Sequence, residues 1–319
     1  MFSKKYKLKQ LKSSKKLTYV FFWGIINVKS IKMVRGENRD MATISVIMGI
    51  YNCRDFKMLE KSIESIRNQS FTDWEFIICN DGSSDNTLSE LEKYPKKDSR
   101  IKVISYEQNM GLAYALNECI KYATGKYIAR QDDDDISLKN RFEKQVEFLE
   151  NNPEYSFVGT TARVFDSNGI WGRLSVEEKP GKKSFYWNSP FIHPTTLFRR
   201  EAIEEVGGYK VTKITRRCED YDMFMSLYSM GHIGYNIQEV LYHYQFINGN
   251  EGNGKDHPFK YRIDEMRIRW TGFKKMNVLS IFSLPYVVKP IIISLIPQFV
   301  FKKIIRKRFS IKKSHRWKK

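Results

Sequence analysis

Short apolar runs alternate with helix-like segments over the first half of the chain. Four runs are rich in apolar residues, and they cover residues 44–50, 74–79, 101–105 and 126–129. The first contains only apolar and small residues, as strands buried on both faces of a sheet do. The segments between them space apolar residues as helices do, over residues 55–69, 88–91 and 111–123. Because strands and helices that alternate in this way form parallel sheets, the pattern predicts an α/β fold with a doubly wound, mostly parallel sheet and helices on both faces.

The pattern continues less regularly after this first half, which we take as residues 41–135. An amphipathic helix is predicted over residues 137–151. Further strands are predicted over residues 155–165, 171–176 and 235–246. Another helix is predicted to begin at Cys218, directly before two acidic residues. We expect this second half, residues 136–259, to complete the same domain.

Polar side chains follow three of the predicted strands at the point where each strand ends. Tyr51 and Asn52 follow the first strand, Asp81 follows the second, and the four aspartates 132–135 follow the fourth. Ligands of doubly wound sheets bind at the carboxyl ends of the strands. Four adjacent carboxylates repel one another unless a cation lies among them, which favours a metal site. A solvated acidic turn that caps the next helix is the alternative.

The positive charge of the chain lies mainly in its two ends. The formal net charge is +19, from 55 Lys and Arg against 36 Asp and Glu. Residues 1–40, a basic extension, hold 11 basic and 2 acidic residues, and residues 260–319 hold 17 and 2. The domain between them is mildly acidic. This distribution favours docking to an anionic membrane surface, whereas a nucleic-acid-binding protein more often carries basic residues across its folded face.

Two apolar stretches lie within these basic ends. Residues 17–28 are too few to span a bilayer, which needs ~20 apolar residues. Residues 278–300 are interrupted by three prolines and by Lys289, whose charge would cost ~3 kcal/mol inside a membrane. We therefore expect amphipathic segments that lie in the membrane plane. A single crossing and packing on the domain are the alternatives, and a shorter product that starts at Met41 is also plausible.

The four cysteines are widely spaced and form no C-x-x-C pair; they are Cys53, Cys79, Cys119 and Cys218. Disulfide frameworks and zinc sites use paired or closely spaced cysteines. The spacing therefore indicates a protein of a reducing compartment, without a disulfide scaffold or a zinc site.

Several motifs, in this order along the chain, resemble those of family 2 glycosyltransferases. They are VIMGIYN at 46–52, NDGSSD at 80–85, NMG at 109–111, DDDD at 132–135 and ED at 219–220. The resemblance covers roughly residues 43–245. It implies an inverting enzyme with the GT-A fold that uses a nucleotide sugar, in the first instance a UDP-sugar. The motifs do not specify which sugar is transferred.

The resemblance assigns donor binding to the strand ends of the first half, the nucleotide-binding half. The residues concerned are Ile50, Tyr51, Asn52, Asp81, Asn109, Gly111, Arg130 and Asp132. Tyr51 matches the residue that lines the nucleobase pocket, and Asp81 matches the aspartate that hydrogen-bonds uracil or ribose. Taken alone, Asp81 is better explained as a turn former before Gly82, and both roles can hold together.

Asp132 and Asp134 match the D-x-D metal motif of the family, with Asp133 in place of the usual small residue. They imply a Mg²⁺ or Mn²⁺ ion, which takes oxygen ligands and neutralises the diphosphate leaving group. If the segment is extended, Asp132 and Asp134 share a face, and Asp135 is then expected to cap the next helix. The family's histidine near the last strand is missing here, so His243 is the alternative third ligand.

Glu219 and Asp220 match the acidic pair that starts a helix in the second half, the acceptor half. An inverting displacement needs a carboxylate that takes the proton from the acceptor hydroxyl. The resemblance assigns this role to Asp220, with Glu219 orienting it or contacting the acceptor. Helix capping by acidic residues is the alternative. Contact with a phosphate or the acceptor and a structural role both remain open for His193. Pairing with the diphosphate and a solvated strand end both remain open for the arginines 130, 199 and 200.

These assignments predict a metal-dependent transferase that is peripheral to the cytoplasmic face of the cell membrane. It would move a sugar to a lipid-linked or growing glycan in the synthesis of a cell-surface polysaccharide such as a capsule. The loop 248–254 would close over the donor or stay exposed. A nucleotidyltransferase is one alternative, although no glycine-rich, lysine-bearing phosphate loop follows the first strand. A non-catalytic membrane adaptor that binds a nucleotide sugar is another.

Overall fold

The computed structural model describes residues 32–34, 42–246, 259–296 and 300. The strands are β1 (Lys32–Val34), β2 (Ile44–Ile50), β3 (Trp74–Asp81), β4 (Ile101–Tyr106), β5 (Tyr127–Arg130), β6 (Ile136–Ser137), β7 (Phe157–Asp166), β8 (Gly169–Leu174), β9 (Leu197–Arg199) and β10 (Gly234–Gln245). The α-helices are α1 (Phe56–Arg67), α2 (Thr87–Leu91), α3 (Tyr94–Lys97), α4 (Leu112–Tyr122), α5 (Arg141–Asn151), α6 (Arg200–Glu205), α7 (Glu219–Ser229), α8 (Phe259–Lys275) and α9 (Leu284–Ser294). Short 3-10 helices lie at Lys182–Tyr186, His193–Thr195 and Ile281–Ser283.

All the strands of the described residues belong to one sheet. Its order is β1-β4-β3-β2-β5-β9-β7-β10-β6, with β8 paired to β7 outside that order. Strands β4, β3, β2 and β5 are parallel, whereas β9 is antiparallel to both β5 and β7. The direction of winding reverses between β2 and β5, and a crevice forms at the carboxyl ends of strands at such a reversal. The predicted α/β fold with a mostly parallel sheet is confirmed.

The parallel part of the sheet is buried on both faces. Ile47 and Ile77 pack in a cluster with α4 and α7, and Val46 and Ile78 pack in a second cluster with α1 and α5. All four side chains are fully buried, and each such burial contributes about 1.5–3 kcal/mol. Burial on both faces explains why these strands are mostly apolar rather than alternating between apolar and polar residues.

The predicted starts of two helices are confirmed. The Asp55 carboxylate caps α1 by accepting hydrogen bonds from the amides of Lys57, at 2.9 Å, and Met58, at 3.1 Å. Helix α7 begins at Glu219, with Cys218 in the capping position. Asp55 follows β2 closely, so the start of α1 lies near the carboxyl ends of the parallel strands. The start of α7 likewise places polar groups near the crevice.

The start of α5 differs from the prediction. The helix begins at Arg141 rather than near Ser137, because Ser137 pairs with Tyr242 of β10 as part of β6. Asp135 therefore does not cap this helix, and the expectation that it would is wrong. Asn140 occupies the capping position instead.

Helix α8 packs against α7, and α9 packs against α8. Gly272 of α8 lies so close to Met225 of α7 that a Cβ atom there would sit 2.3 Å from its sulfur. No helix in the described part of the chain is long and apolar enough to span a bilayer. Residues 1–31, the predicted loop 248–254 and residues 301–319 lie outside the described residues.

Candidate active site

The loops that follow β2, β3 and β4 are tied together by hydrogen bonds. The amide of Asn52 donates to the Ser83 hydroxyl, and the Ser84 amide donates to the Asn52 side-chain oxygen, both at 2.9 Å. Asn52 has a φ of 48°, in the left-handed region that asparagine tolerates better than most residues. Tyr51 is half exposed beside it, whereas the side chain of Ile50 is buried in the core. Of the predicted pair Ile50 and Tyr51, only Tyr51 presents its side chain to a ligand.

Asp81 holds the loop after β4 in place. Its Oδ1 accepts hydrogen bonds from the Tyr106 hydroxyl at 2.6 Å and the Met110 amide at 2.7 Å. Its Oδ2 accepts from the Asn109 side chain at 2.9 Å and the Gly111 amide at 2.8 Å. Burial raises the pKa of Asp81, and the hydrogen bonds from Tyr106 and the two amides offset part of the rise. The structure thus brings together three of the residues predicted to bind the nucleotide-sugar donor, which are Asp81, Asn109 and Gly111.

This arrangement changes the expected role of Asp81. The side chain is buried, and all four of its hydrogen bonds come from the protein itself. A carboxylate offers about four acceptor positions, so Asp81 has no spare position for a nucleobase or ribose. In this structure it shapes the donor side of the cleft through the loop it holds.

Gly82 allows that close approach. Its φ is 65°, and a Cβ atom there would lie 2.5 Å from the carbonyl carbon of Gln108 and 2.6 Å from the amide nitrogen of Asn109. Both atoms belong to the backbone and cannot rotate away. The DG pair in the motif at 80–85 is therefore a packing requirement as well as a turn signal.

The aspartates after β5 form a turn rather than an extended segment. Asp132 pairs with the buried guanidinium of Arg130. Burial and the charge of Asp132 raise the pKa of Asp133 to about 6, while Arg130 and Arg54 lower it. Burial, Asp132 and Asp133 raise the pKa of Asp134 to about 7. Because the four aspartates form a turn, the expected strand-like alternation of their side chains does not apply. Asp133 still differs from Asp134, because Arg54 also interacts with the Asp133 carboxylate.

A buried polar group beneath this turn was not predicted from the sequence. Arg141 is fully buried and donates to the Ser137 hydroxyl at 2.7 Å and to the Arg130 carbonyl at 2.9 Å. It also donates to the side-chain oxygens of Gln131 and Gln145. Gln131 in turn donates to the main chain of the acidic turn. Polar residues on the apolar face of a predicted helix, at the spacing of 141 and 145, were the available signal.

We expect Arg141→Met to destabilise the protein by about 3 kcal/mol, because it leaves several buried oxygens without donors. Chemical denaturation measures this change. Arg163→Met is the matched control: Arg163 is exposed on β7, so its replacement should change the free energy of unfolding by less than about 0.5 kcal/mol. Equal effects of the two substitutions would contradict a supporting role for Arg141.

The last aspartate of the turn is held by β10. The Asp135 Oδ1 atom accepts a hydrogen bond from the Gln245 amide at 2.6 Å. Burial raises the pKa of Asp135, and so do Asp132 and Asp134. Strand alternation places Tyr242 and Tyr244 on one face of β10 and His243 on the other. Because Tyr242 and Tyr244 interact with the aspartates, His243 faces away and is not placed to be a third metal ligand.

Glu219 and Asp220, in the first turn of α7, face the same cleft as the acidic turn. Burial raises the pKa of Asp220, and Asp132 raises it further. Burial and the charge of Asp220 raise the pKa of Glu219 to about 7. Burial also raises the pKa of the Tyr244 hydroxyl, and carboxylates of both elements add to the rise; they are Asp135, Asp132, Asp134 and Asp220. The Tyr244 hydroxyl therefore interacts both with the aspartates of the acidic turn and with Asp220 of α7.

The basic residues left open by the sequence have structural partners. Arg199 and Arg200 donate to main-chain carbonyls, and Arg199 pairs with the first residue of β5, at the opposite end of that strand from Asp132. Arg130 is buried behind Asp132. His193 is buried, and its Nε2 atom lies 2.7 Å from the Tyr209 hydroxyl. Burial lowers the pKa of His193 well below its usual value, so this histidine is neutral and structural.

Comparison with known proteins places this cleft in a known family. The family model "Glycosyl transferase family 2" matches residues 45–207. EpsE of Bacillus subtilis is 39% identical over 266 residues, which are 83% of this chain and 94% of EpsE. An Escherichia coli UDP-Gal:alpha-D-GlcNAc-diphosphoundecaprenol beta-1,3-galactosyltransferase is 28% identical over 84% of this chain and 98% of its own.

A solved structure shows the same fold. S. aureus TarS 1-349 in complex with UDP-GlcNAc superimposes with a TM-score of 0.61 over 78% of this chain and 71% of that chain, at 18% identity. The expected GT-A fold is thereby confirmed. The matched residues include β2 to β9, with every motif of the donor side and the acidic turn. The chain therefore belongs to glycosyltransferase family 2.

Proposed function

We propose that this glycosyltransferase moves a sugar, with inversion, from a nucleotide sugar to a lipid-linked or growing glycan. The observation that carries the proposal is the shared cleft, in which carboxylates after β5 face those at the start of α7. A UDP-sugar is the preferred donor, because the E. coli relative is named for UDP-Gal and the TarS structure contains UDP-GlcNAc. The diphosphoundecaprenol in the name of the same relative supports a lipid-linked acceptor.

We assign the donor to residues 41–135 and the acceptor to residues 136–259. Tyr51 is exposed at the end of β2 and offers a ring on which a nucleobase stacks. Asp81 fixes the neighbouring loop through Asn109 and Gly111. The donor diphosphate then lies toward Asp132, at the reversal between β2 and β5.

The residues of the acidic turn fit a divalent cation. Asp132 and Asp134 offer hard oxygen ligands, and the raised pKa of Asp134 shows the repulsion that a cation would relieve. Within the described residues, no three Asp, Glu, His or Cys side chains form a complete metal cage. The proposed Mg²⁺ or Mn²⁺ would therefore take its remaining ligands from the donor phosphates and from water. The bound ion would neutralise charge on the departing diphosphate.

Asp220 is the proposed general base. Its carboxylate takes the proton of the acceptor hydroxyl while that oxygen bonds to the anomeric carbon, opposite the leaving nucleoside diphosphate. Burial raises the pKa of Asp220 and so makes it a stronger base than a solvated aspartate. Glu219, whose pKa is raised to about 7, holds a proton for part of the time at neutral pH and so limits repulsion between the pair.

A nucleotide-sugar panel tests this function. Turnover of one UDP-sugar in Mn²⁺, with transfer to a polyprenyl-diphosphate sugar, is the expected result. Thermal stabilisation by a nucleotide sugar without any turnover would indicate the non-catalytic adaptor. Release of pyrophosphate from a nucleoside triphosphate would indicate the nucleotidyltransferase.

The apolar face of α9 supports docking to a membrane. We define this face by the exposed residues of α9 and of the segments directly before and after it, which are Ile281, Phe282, Leu284, Val288, Ile292 and Leu295. On the opposite side, Val287 and Pro290 are buried, and α9 packs against α8. Residues 260–319 carry 17 basic and 2 acidic residues. An apolar face within a basic segment fits the cytoplasmic, anionic surface of a membrane in the in-plane arrangement.

We expect the double substitution Phe282→Asp and Ile292→Asp to lower binding to anionic vesicles at least about 10-fold, because each buried apolar side chain contributes about 1.5–3 kcal/mol. Both residues are more than half exposed, so the fold should be unaffected. Co-sedimentation measures the bound fraction. Ile170→Asp, on the exposed surface of β8, is the control and should leave binding unchanged. Unchanged binding of the double variant would contradict in-plane docking by α9.

A further inference from the structure

The donor diphosphate needs positive charge that the acidic cleft does not obviously supply. Arg199 and Arg200 bind main-chain carbonyls, and Arg130 is buried against Asp132. Arg54 interacts with Asp133, and the remaining residues of the cleft are mainly carboxylates, which repel a diphosphate. A single divalent ion offsets only part of this repulsion, so a further cation is expected at the mouth of the cleft.

The loop of residues 210–217, between α6 and α7, is the most basic segment beside the cleft. Its sequence, KVTKITRR, contains four cations and no acid. All four side chains are exposed; they are Lys210, Lys213, Arg216 and Arg217. Two residues after the loop, α7 presents Glu219 and Asp220. The loop therefore lies next to the proposed base.

Hydrogen bonds fix both ends of this loop. The Tyr209 amide donates to the Asn117 side-chain oxygen of α4 at 2.8 Å, and the Asn117 side chain donates to the Tyr209 carbonyl at 2.7 Å. At the other end, the Cys218 amide donates to the Thr215 carbonyl at 2.9 Å. Thr215 is buried, and its hydroxyl donates to the Lys210 carbonyl at 2.6 Å. The loop thus connects α4, which begins beside the Asp81 loop, with α7.

Arg216 is exposed three residues before Glu219, in a loop that is tied to α4 beside the Asp81 loop. It is also close enough to Asp81 for its charge to lower the pKa of that carboxyl. The Asp81 oxygens already accept four hydrogen bonds from other groups, none of them from Arg216. The neighbouring Arg217 instead packs on the Tyr261 ring, 5.0 Å from its centroid. Arg216 is therefore an exposed cation placed between the donor loops and the base.

We propose that Arg216 contacts the diphosphate of the nucleotide-sugar donor and stabilises it as it leaves. This step rests on the proposed function. A guanidinium matches two phosphate oxygens at once and stays charged at any physiological pH, which suits it to this position. A lipid-linked acceptor also carries a diphosphate, but the hydrogen bonds that tie this loop to α4, which begins at the Asp81 loop, favour the donor.

Binding of UDP and of uridine by Arg216→Ala tests the proposal, because the two ligands differ only in the diphosphate. By calorimetry in Mn²⁺, the substitution should weaken UDP binding about 10- to 100-fold and leave uridine binding unchanged. Arg216→Lys should recover part of the loss. Lys96→Ala, at an exposed cation of α3 near the opposite edge of the sheet, is the control and should bind UDP as the wild type does.

Two results would overturn the proposal. One is equal UDP affinity in Arg216→Ala and the wild type. The other is an Arg216→Ala variant with unchanged UDP affinity and a raised KM for a polyprenyl-diphosphate acceptor, which would show that Arg216 contacts the acceptor diphosphate. If the wild type itself binds neither UDP nor another nucleoside diphosphate, the proposed function fails together with this step, and that result is distinct from the other two.

Discussion

Asp220→Asn should lower kcat by about 10³-fold or more. A positioned general base contributes about 10²–10⁴-fold to a proton transfer, and an amide cannot accept the proton. The fold should be retained, because the amides of Asp220 and Tyr221 donate to this side chain, and an asparagine oxygen still accepts from them. Initial rates at saturating donor and acceptor measure the loss, and thermal unfolding checks the fold.

The pH dependence gives this prediction a second readout. Because burial raises the pKa of Asp220, the acid limb of the wild-type pH–rate profile should lie above the ordinary aspartate range, with activity rising as the base loses its proton. Glu201→Gln, at an exposed position of α6, is the control and should leave both rate and profile unchanged. A kcat for Asp220→Asn within tenfold of the wild type would remove Asp220 from the base role.

Asp134→Asn should reduce transfer about 10²-fold or more and raise the metal concentration needed for half-maximal activity. The amide is a weaker ligand than a carboxylate and brings no charge to the ion. Asp133→Asn is a matched control one residue away, where the carboxylate also interacts with Arg54. Its metal requirement should change far less. Metal titrations of the two variants that coincide would contradict the assignment of Asp134.

Without metal, Asp134→Asn should not destabilise the protein, although it lowers the activity. Burial and two neighbouring charges raise the pKa of Asp134 to about 7 in the folded state, against about 3.9 in an unfolded chain. The ionised form therefore opposes folding, and stability contributed by this group falls as the pH rises from about 4 to about 7. In EDTA at pH 8, Asp134→Asn should unfold at the same temperature as the wild type or higher.

The first half of the fold could be predicted closely because local pattern and tertiary environment agree there. Residues 44–50 are apolar or small, and the structure buries them on both faces as β2. Asp55 precedes an amphipathic segment and caps α1. Each local preference points to the same structure, which is the condition under which sequence patterns are reliable.

The segment after the acidic turn was harder to predict, because tertiary contacts override its local pattern. Residues 137–140 suit the first turn of a helix, yet Ser137 pairs with Tyr242 and the Leu138 amide donates to the Leu241 carbonyl. Asp135 is likewise held by the Gln245 amide, from a strand 110 residues away. Contacts of such range leave no mark on local propensity.

The sequence could not predict the roles of single residues in the site, because these roles depend on which polar atoms already have hydrogen-bond partners within the protein. The motif at 80–85 located Asp81 correctly, but only the structure shows that its oxygens are filled by Tyr106, Met110, Asn109 and Gly111. Arg130 shows the reverse case, since an arginine at a strand end suggests an exposed cation, whereas this one is buried and paired with Asp132. Hydrogen-bond saturation and burial are properties of the assembled fold.

The account depends most on one cation and one diphosphate lying between the acidic turn and α7. A crystal structure with Mn²⁺ and UDP, with the metal located by anomalous scattering, tests this directly. The expected result is a metal peak about 2.1 Å from carboxylate oxygens of Asp132 or Asp134 and from a UDP phosphate, with Asp220 facing the same space. A metal peak away from both aspartates, or UDP bound outside the cleft that Asp220 faces, would contradict it.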